Sequence, residues 1–186
     1  MNYRLFIAVN LPADTKNQLA EEILNLQKIY NQLPLKWVEP NNLHLTLHFL
    51  GKQDDLALTE IKNVLANETP KFPFLNLSLG NYGVFPNLDQ PRVIYIELKE
   101  EVKKYLKDLQ SNLGQKLAAS GFEIDHRPWQ PHITLARVKT HCRLALPSTK
   151  LTPAKFKIAT IDLMQSELYP AGPVYSLIQS FPLKNI

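Results

Sequence analysis

Cysteine is nearly absent from this 186-residue chain, where Cys142 stands alone. One thiol closes no internal disulfide, so a secreted scaffold held by cross-links is excluded, and a zinc knuckle would lack its ligands. Cys142 lies in Thr-His-Cys-Arg, whose neighbours do not read as a nucleophile site. Long apolar runs are missing too. The segment Met1 to Leu11 carries too short an apolar stretch for a signal peptide, and nothing approaches the ~20 apolar residues of a membrane span. The expectation is a cytoplasmic protein with no membrane partner. No glycine-rich phosphate loop occurs, which argues against a nucleoside triphosphatase. Low-complexity tracts and long linkers are also lacking.

What is present fits a globular protein. Hydrophobic residues make up 45% and charged residues 20% of the chain. Residues 1–186 fit one ordinary domain, or two small lobes sharing a core. A chain of this size hides roughly 70% of its unfolded surface and needs no covalent staple. The net charge of +4 is too mild for a duplex-DNA binder but suits an anionic substrate such as a phosphate.

Periodicity predicts a mixed order of strands and helices. Tyr3 to Asn10 reads as a buried strand broken by Pro12, and Asp14 is positioned to cap the helix that follows. Leu19, Ile23, Leu26 and Tyr30 form that helix's apolar stripe. Lys36 to Val38 and Leu43 to Leu50 read as strands, the second closed by Gly51. Asp54 and Asp55 open a second helix with Ala57, Ile61, Val64 and Leu65 on one face, and Pro70 closes it. Leu75 to Leu79 and Arg92 to Leu98 form a hairpin-like pair. A third helix starts near Glu100, with Val102, Leu106, Leu109, Leu113 and Leu117 in register, and stops at Ser120-Gly121. His132 to Val138, Phe156 to Leu168 and Val174 to Leu183 are the remaining strands. Within Phe156 to Leu168 the apolar parity changes between Ile158 and Ile161, which a bulge would explain.

One internal echo carries chemistry. His44-Leu45-Thr46-Leu47 and His132-Ile133-Thr134-Leu135 repeat the pattern His, apolar, Thr, Leu in two strand-like segments. Strand side chains alternate faces. His44 and Thr46 therefore share one face, with Leu45, Leu47 and Phe49 toward the core, and His132 and Thr134 share a face backed by Ile133 and Leu135. In-line displacement at phosphorus needs a base on the attacking oxygen and an acid on the leaving oxygen, on opposite sides. Histidine, with an ordinary pKa of ~6.5, performs either task near neutrality. Threonine hydroxyls donate hydrogen bonds to the non-bridging oxygens. Such chemistry needs no metal and no other cofactor.

The paired motifs resemble those of the 2H phosphoesterase superfamily, and the chain is most similar to its RNA 2′,3′-cyclic phosphodiesterase branch, also called the 2′-5′ RNA ligase family. The likeness rests on Arg4 to Ala8, on Asn42 to Gly51 around the first motif, on Pro91-Arg92-Val93, and on Arg127 to Arg137 around the second. Leu168-Tyr169-Pro170 to Tyr175 fits less specifically. The resemblance implies an α+β, two-lobed fold in which antiparallel sheets line a central cleft and helices lie outside. It also implies hydrolysis of 2′,3′-cyclic phosphate ends of RNA to a 2′-phosphomonoester. In that family the histidine matching His44 gives a proton to the leaving 3′ oxygen, and the one matching His132 activates water. The residues themselves leave acid and base unassigned, because the two copies look alike. RNA 3′ ends or nucleotides bearing a cyclic phosphate are the expected partners, with a monomer and no obligate protein partner.

Several residues carry two readings. Arg137 matches a phosphate clamp of the second motif, yet strand parity turns it away from His132 unless a bulge or strand end intervenes. Trp129 is a candidate for stacking on a base, or a half-buried core residue. Phe6 underlies the cleft or packs the core. His48 shares parity with His44, but no acidic or histidine cluster accompanies the pair as a metal site, and it reads as a spectator. His126 and His141 read as surface residues. Alternatives from other classes are a 2′-5′ RNA ligase or 2′-5′ oligonucleotide phosphodiesterase using the same site, a metal-dependent phosphoesterase using His44 and His48, and a non-catalytic nucleotide- or RNA-binding module.

Overall fold

Alternating apolar residues form nine strands among the described residues, and apolar residues at helical spacing form three helices. The structure, a computed structural model, describes residues 2–147, 154–170 and 172–184, with the backbone alone for 100–104. In chain order the elements are β1 (Tyr3–Asn10), α1 (Ala13–Ile29), β2 (Leu35–Trp37), β3 (His44–Gln53), α2 (Asp55–Glu68), β4 (Leu75–Phe85), β5 (Val93–Leu98), α3 (Glu100–Ala119), β6 (His132–Val138), β7 (Lys155–Ile158), β8 (Thr160–Tyr169) and β9 (Gly172–Pro182). No described helix is long and apolar enough to cross a membrane.

The strands follow one antiparallel path, β7-β4-β5-β6-β3-β1-β8-β9, with β2 pairing β6 beside it. The path curls. Its two ends meet where Pro73 bridges Lys184 and the Leu183 N–H donates to the Ala159 carbonyl (2.8 Å). Two halves meet at the β3–β6 seam through a single register pair, Leu45 opposite Ile133. The expected lobes are thus the two arms of one continuous ladder, and both motif strands lie at its centre.

The helices cover the apolar face of this sheet. In α3, Leu106, Leu109, Leu113 and Leu117 are fully buried, each contributing about 1.5–3 kcal/mol by removal from water. Val102 belongs to the segment whose side chains are not described. Asp54 caps α2 by accepting from the Ala57 N–H (2.8 Å). Asp14 does not cap α1. The helix begins at Ala13 behind Pro12, so Asp14 lies inside the first turn, where its charge favours the helix dipole.

The segment Phe156 to Leu168 is two strands rather than one bulged strand. The strand is interrupted at Ala159, where β7 leaves β4 and β8 joins β1 and β9. The parity change read between Ile158 and Ile161 is the passage from one arm to the other.

Candidate active site

Both motif histidines open into one cleft of about 1070 Å³ along the β3–β6 seam. The register explains how they come to face each other. Leu45 stands opposite Ile133 in antiparallel strands, and the same register carried one step each way brings His44 toward Thr134 and Thr46 toward His132. The histidines occupy a diagonal of that register, which in a regular pair spans about 7–8 Å, and somewhat less between Cβ atoms. A phosphate fits between two such imidazoles. Leu45, Leu47, Ile133 and Leu135 lie buried behind them, as the alternation predicts.

Each histidine is held in the same way. The Nδ1–H of His44 donates to the Asn42 carbonyl (2.6 Å), and that of His132 donates to the Gln130 carbonyl (2.7 Å). A carbonyl only accepts, so Nδ1 carries the proton in both rings and Nε2 is the titrating atom. The Asn42 and Gln130 side chains extend the echo. Asn42 donates to the Pro173 carbonyl (3.2 Å), and Gln130 donates to the Tyr95 hydroxyl (3.1 Å). Aromatic rings flank each imidazole: Phe6 (5.1 Å) and Tyr175 (5.2 Å) at His44, Phe85 (5.0 Å) and Tyr95 (5.3 Å) at His132. Nothing in the motif spacing identifies these rings, because they come from β1, β4, β5 and β9.

The two sites differ at Nε2. His44 Nε2 lies 3.0 Å from the Thr46 hydroxyl, whereas among the described residues no protein group bonds Nε2 of His132. Burial holds both imidazoles below the ordinary histidine pKa. The charges of Lys16, His132 and Arg137 add to this at His44, and that of Arg137 at His132, while the bonds to the Asn42 and Gln130 carbonyls oppose it.

A bulge of the same kind follows each motif. In β3, Thr46 pairs Ala8 while His48 pairs Ile7, so Leu47 is the extra residue. In β6, Thr134 pairs Tyr95 while Ala136 pairs Ile94, so Leu135 is the extra residue. Each bulge reverses parity beyond it. Arg137 therefore lines the cleft, contrary to simple alternation. Phe49 is its counterpart five residues after His44. Alternation places it in the core, but it stands 65% exposed in the cleft, a free aromatic face. His48 turns the other way. It is buried against α3, donating from Nε2 to the Gln110 carbonyl (2.7 Å), and so cannot form a metal pair with His44. Among the described residues no three histidines, cysteines or acids gather as a metal site.

Trp129 is not among the residues lining the cleft. It packs against the core and donates its indole N–H to the Thr46 carbonyl (3.1 Å). That bond braces the approach to the second motif against the first motif strand, and a base would stack on other rings. Phe6 satisfies both of its readings, being buried and also lining the cleft beneath His44. His126 and His141 are exposed, as expected. Arg4 and Lys36 join Arg137 around the cleft, where Glu39 is the one carboxylate among the described lining residues. Arg4 belongs to the matching segment Arg4 to Ala8, but nothing in the sequence places it or Lys36 at the cleft; both depend on which strand ends curl toward the seam.

A curled antiparallel sheet with two pseudo-symmetric histidine strands at its centre defines a phosphoesterase architecture, and comparison with known proteins agrees. The family model for LigT like Phosphoesterase matches residues 9–95 and 96–175, one histidine motif in each stretch. The chain belongs to this family, the 2H phosphoesterases read from the two motifs. The RNA 2′,3′-cyclic phosphodiesterase of Methanothermobacter thermautotrophicus is 31% identical over 98% of this chain and all of its own length. The protein of the same name from Methanocaldococcus jannaschii is 32% identical over 96% of this chain and 99% of its own. A crystal structure from Thermus thermophilus superposes with a TM-score of 0.79 at 29% identity, covering 98% of both chains.

Proposed function

We propose that this protein is a hydrolase that opens 2′,3′-cyclic phosphates at RNA 3′ ends, leaving a 2′-phosphomonoester and a free 3′ hydroxyl. The observation that carries this reading is the pair of Nδ1-anchored imidazoles set diagonally across one cleft. The relatives named RNA 2′,3′-cyclic phosphodiesterase supply the substrate class.

The step needs two proton transfers. The unbonded Nε2 of His132 suits the base: it takes a proton from water as the water oxygen bonds to phosphorus. The bond from phosphorus to O3′ breaks on the opposite side, and protonated His44 gives its Nε2 proton to O3′. Turnover leaves His132 protonated and His44 neutral, and exchange with solvent resets both. Thr46 and Thr134 donate to the non-bridging oxygens, and Arg137 offsets the charge that grows on them. Phe49 or Tyr175 offers a face for the base. The substrate's anionic phosphate also raises the pKa values that burial lowers, so a protonated His44 is favoured once substrate is bound.

Product analysis tests this directly. An RNA ending in a 2′,3′-cyclic phosphate should yield the 2′-phosphate. Formation of the 3′-phosphate would reverse the bond assignment, and absence of turnover with retained binding would leave a binding module.

A further inference from the structure

Arg137 also borders a second cavity, of about 570 Å³, whose other lining residues the two-histidine reaction does not use. Arg137 lines both. The second cavity adds Arg92, Lys139 and His141, and among the described residues no carboxylate lines it. All four side chains are exposed, and among the described residues none is ion-paired. The backbone holds them together: the Val138 N–H donates to the Arg92 carbonyl (2.9 Å), and the Lys139 N–H donates to the Pro34 carbonyl (2.8 Å). The charges of Arg92, Arg137 and Lys139, gathered this way, repel one another, a cost that an anion removes.

A nucleoside cyclic phosphate has one phosphate, and the histidines, threonines and Arg137 account for it. The Cα of Arg137 lies five residues along β6 from that of His132, on the order of 15 Å at strand rise, while its charge still acts on both histidines. Cations beyond that point meet a phosphate only if the substrate is a chain. On the reading that the cleft opens a cyclic phosphate at an RNA end, we infer that the Arg92–Lys139–His141 cavity binds the internal phosphates of a single-stranded RNA leading to that end. The preferred substrate is then an oligonucleotide rather than a mononucleotide, and Pro91-Arg92-Val93 acquires a task.

Binding is measured apart from catalysis, with full-length His132→Ala protein and a fluorescent short single-stranded RNA ending in a 2′,3′-cyclic phosphate. A nucleoside 2′,3′-cyclic monophosphate serves as competitor. The RNA should bind more tightly than the mononucleotide, with affinity that falls with salt. Adding Arg92→Glu and Lys139→Glu should weaken RNA binding by roughly tenfold or more and lower the log–log salt slope by about 0.7 for each phosphate no longer neutralised. The single changes Arg92→Gln and Lys139→Gln should give intermediate losses, which a folding defect would not grade. RNA binding no tighter than the mononucleotide, or unchanged by the double reversal, overturns the inference. Groove-dependent binding by a wild-type protein that turns over neither substrate upholds the groove and refutes the hydrolase reading instead.

Discussion

On the proposed mechanism, His44 and His132 do different work from nearly identical surroundings. Replacing either by alanine removes a proton transfer, typically worth ~10²–10⁴ in rate. Thr46→Ala or Thr134→Ala removes one hydrogen bond, about 1–3 kcal/mol in a buried site, and should slow turnover less. Steady-state kinetics on one cyclic substrate ranks the four variants, and a threonine variant slower than both histidine variants would contradict the roles. The pH profile is the stricter check. With one imidazole neutral and the other protonated, kcat/KM should follow a bell whose apparent values belong to the pair. Burial lowers both groups in the free protein, so the apex should fall below about pH 6.5. The kcat bell should lie to its alkaline side, because bound phosphate favours the protonated rings. In residual activity, His44→Ala should flatten mainly the alkaline limb and His132→Ala mainly the acid limb. A flat profile with chemistry rate-limiting would falsify the two-histidine mechanism.

The strands carry precision that the motifs do not contain. Tyr95 packs against His132 and is itself held by the Phe85 ring (4.2 Å) and by Gln130. Gly83, its register partner on β4, has no side chain because a Cβ there would sit 2.3 Å from the Tyr95 ring. Tyr95 is buried and cannot yield freely. Gly83→Ala should therefore move His132 through Tyr95. Overpacking of this kind costs about 1–3 kcal/mol of stability, while a displacement near 1 Å at a catalytic group costs on the order of 10²-fold in rate. Urea denaturation and kcat, measured on the same folded sample, separate the two effects. Unchanged kcat in a folded variant would show that Tyr95 does not position His132.

At the scale of the whole molecule, acid should loosen the fold through its histidines. His44, His48 and His132 are each lowered in the folded state, chiefly by burial. Between those lowered values and about pH 6.5 the unfolded chain binds more protons than the folded one. Their contribution to stability is thus fully present above about pH 6.5 and is lost as pH falls toward the folded values. The urea midpoint should drop on acidification through this window, and less so in His48→Ala measured against its own neutral-pH midpoint. An unchanged midpoint would contradict the burial of these rings. Activity should also survive EDTA, since two imidazoles supply both proton transfers. Loss in chelator with rescue by a divalent ion would overturn this.

What the sequence determined by itself was the candidate side chains and local form. The repeated His-x-Thr pattern in strand-like segments named the four central side chains, and apolar spacing located three helices and the strands. These are short-range properties, set by side-chain alternation and helical repeat. A fainter signal is written there too: in β3 the buried leucines step from 45 to 47 and then to 50, and that odd interval marks the bulge that exposes Phe49 and buries His48. The matching turn of Arg137 depends on β6 pairing with β5 one residue out of step, which no local pattern records. Tertiary structure alone decided that Leu45 faces Ile133, that rings from four other strands flank the imidazoles, that Trp129 braces Thr46, and that Arg92 meets Lys139. Each of these follows from long-range register in a curled sheet, where hydrogen bonding between distant segments, and not the preference of any one residue, selects the neighbours.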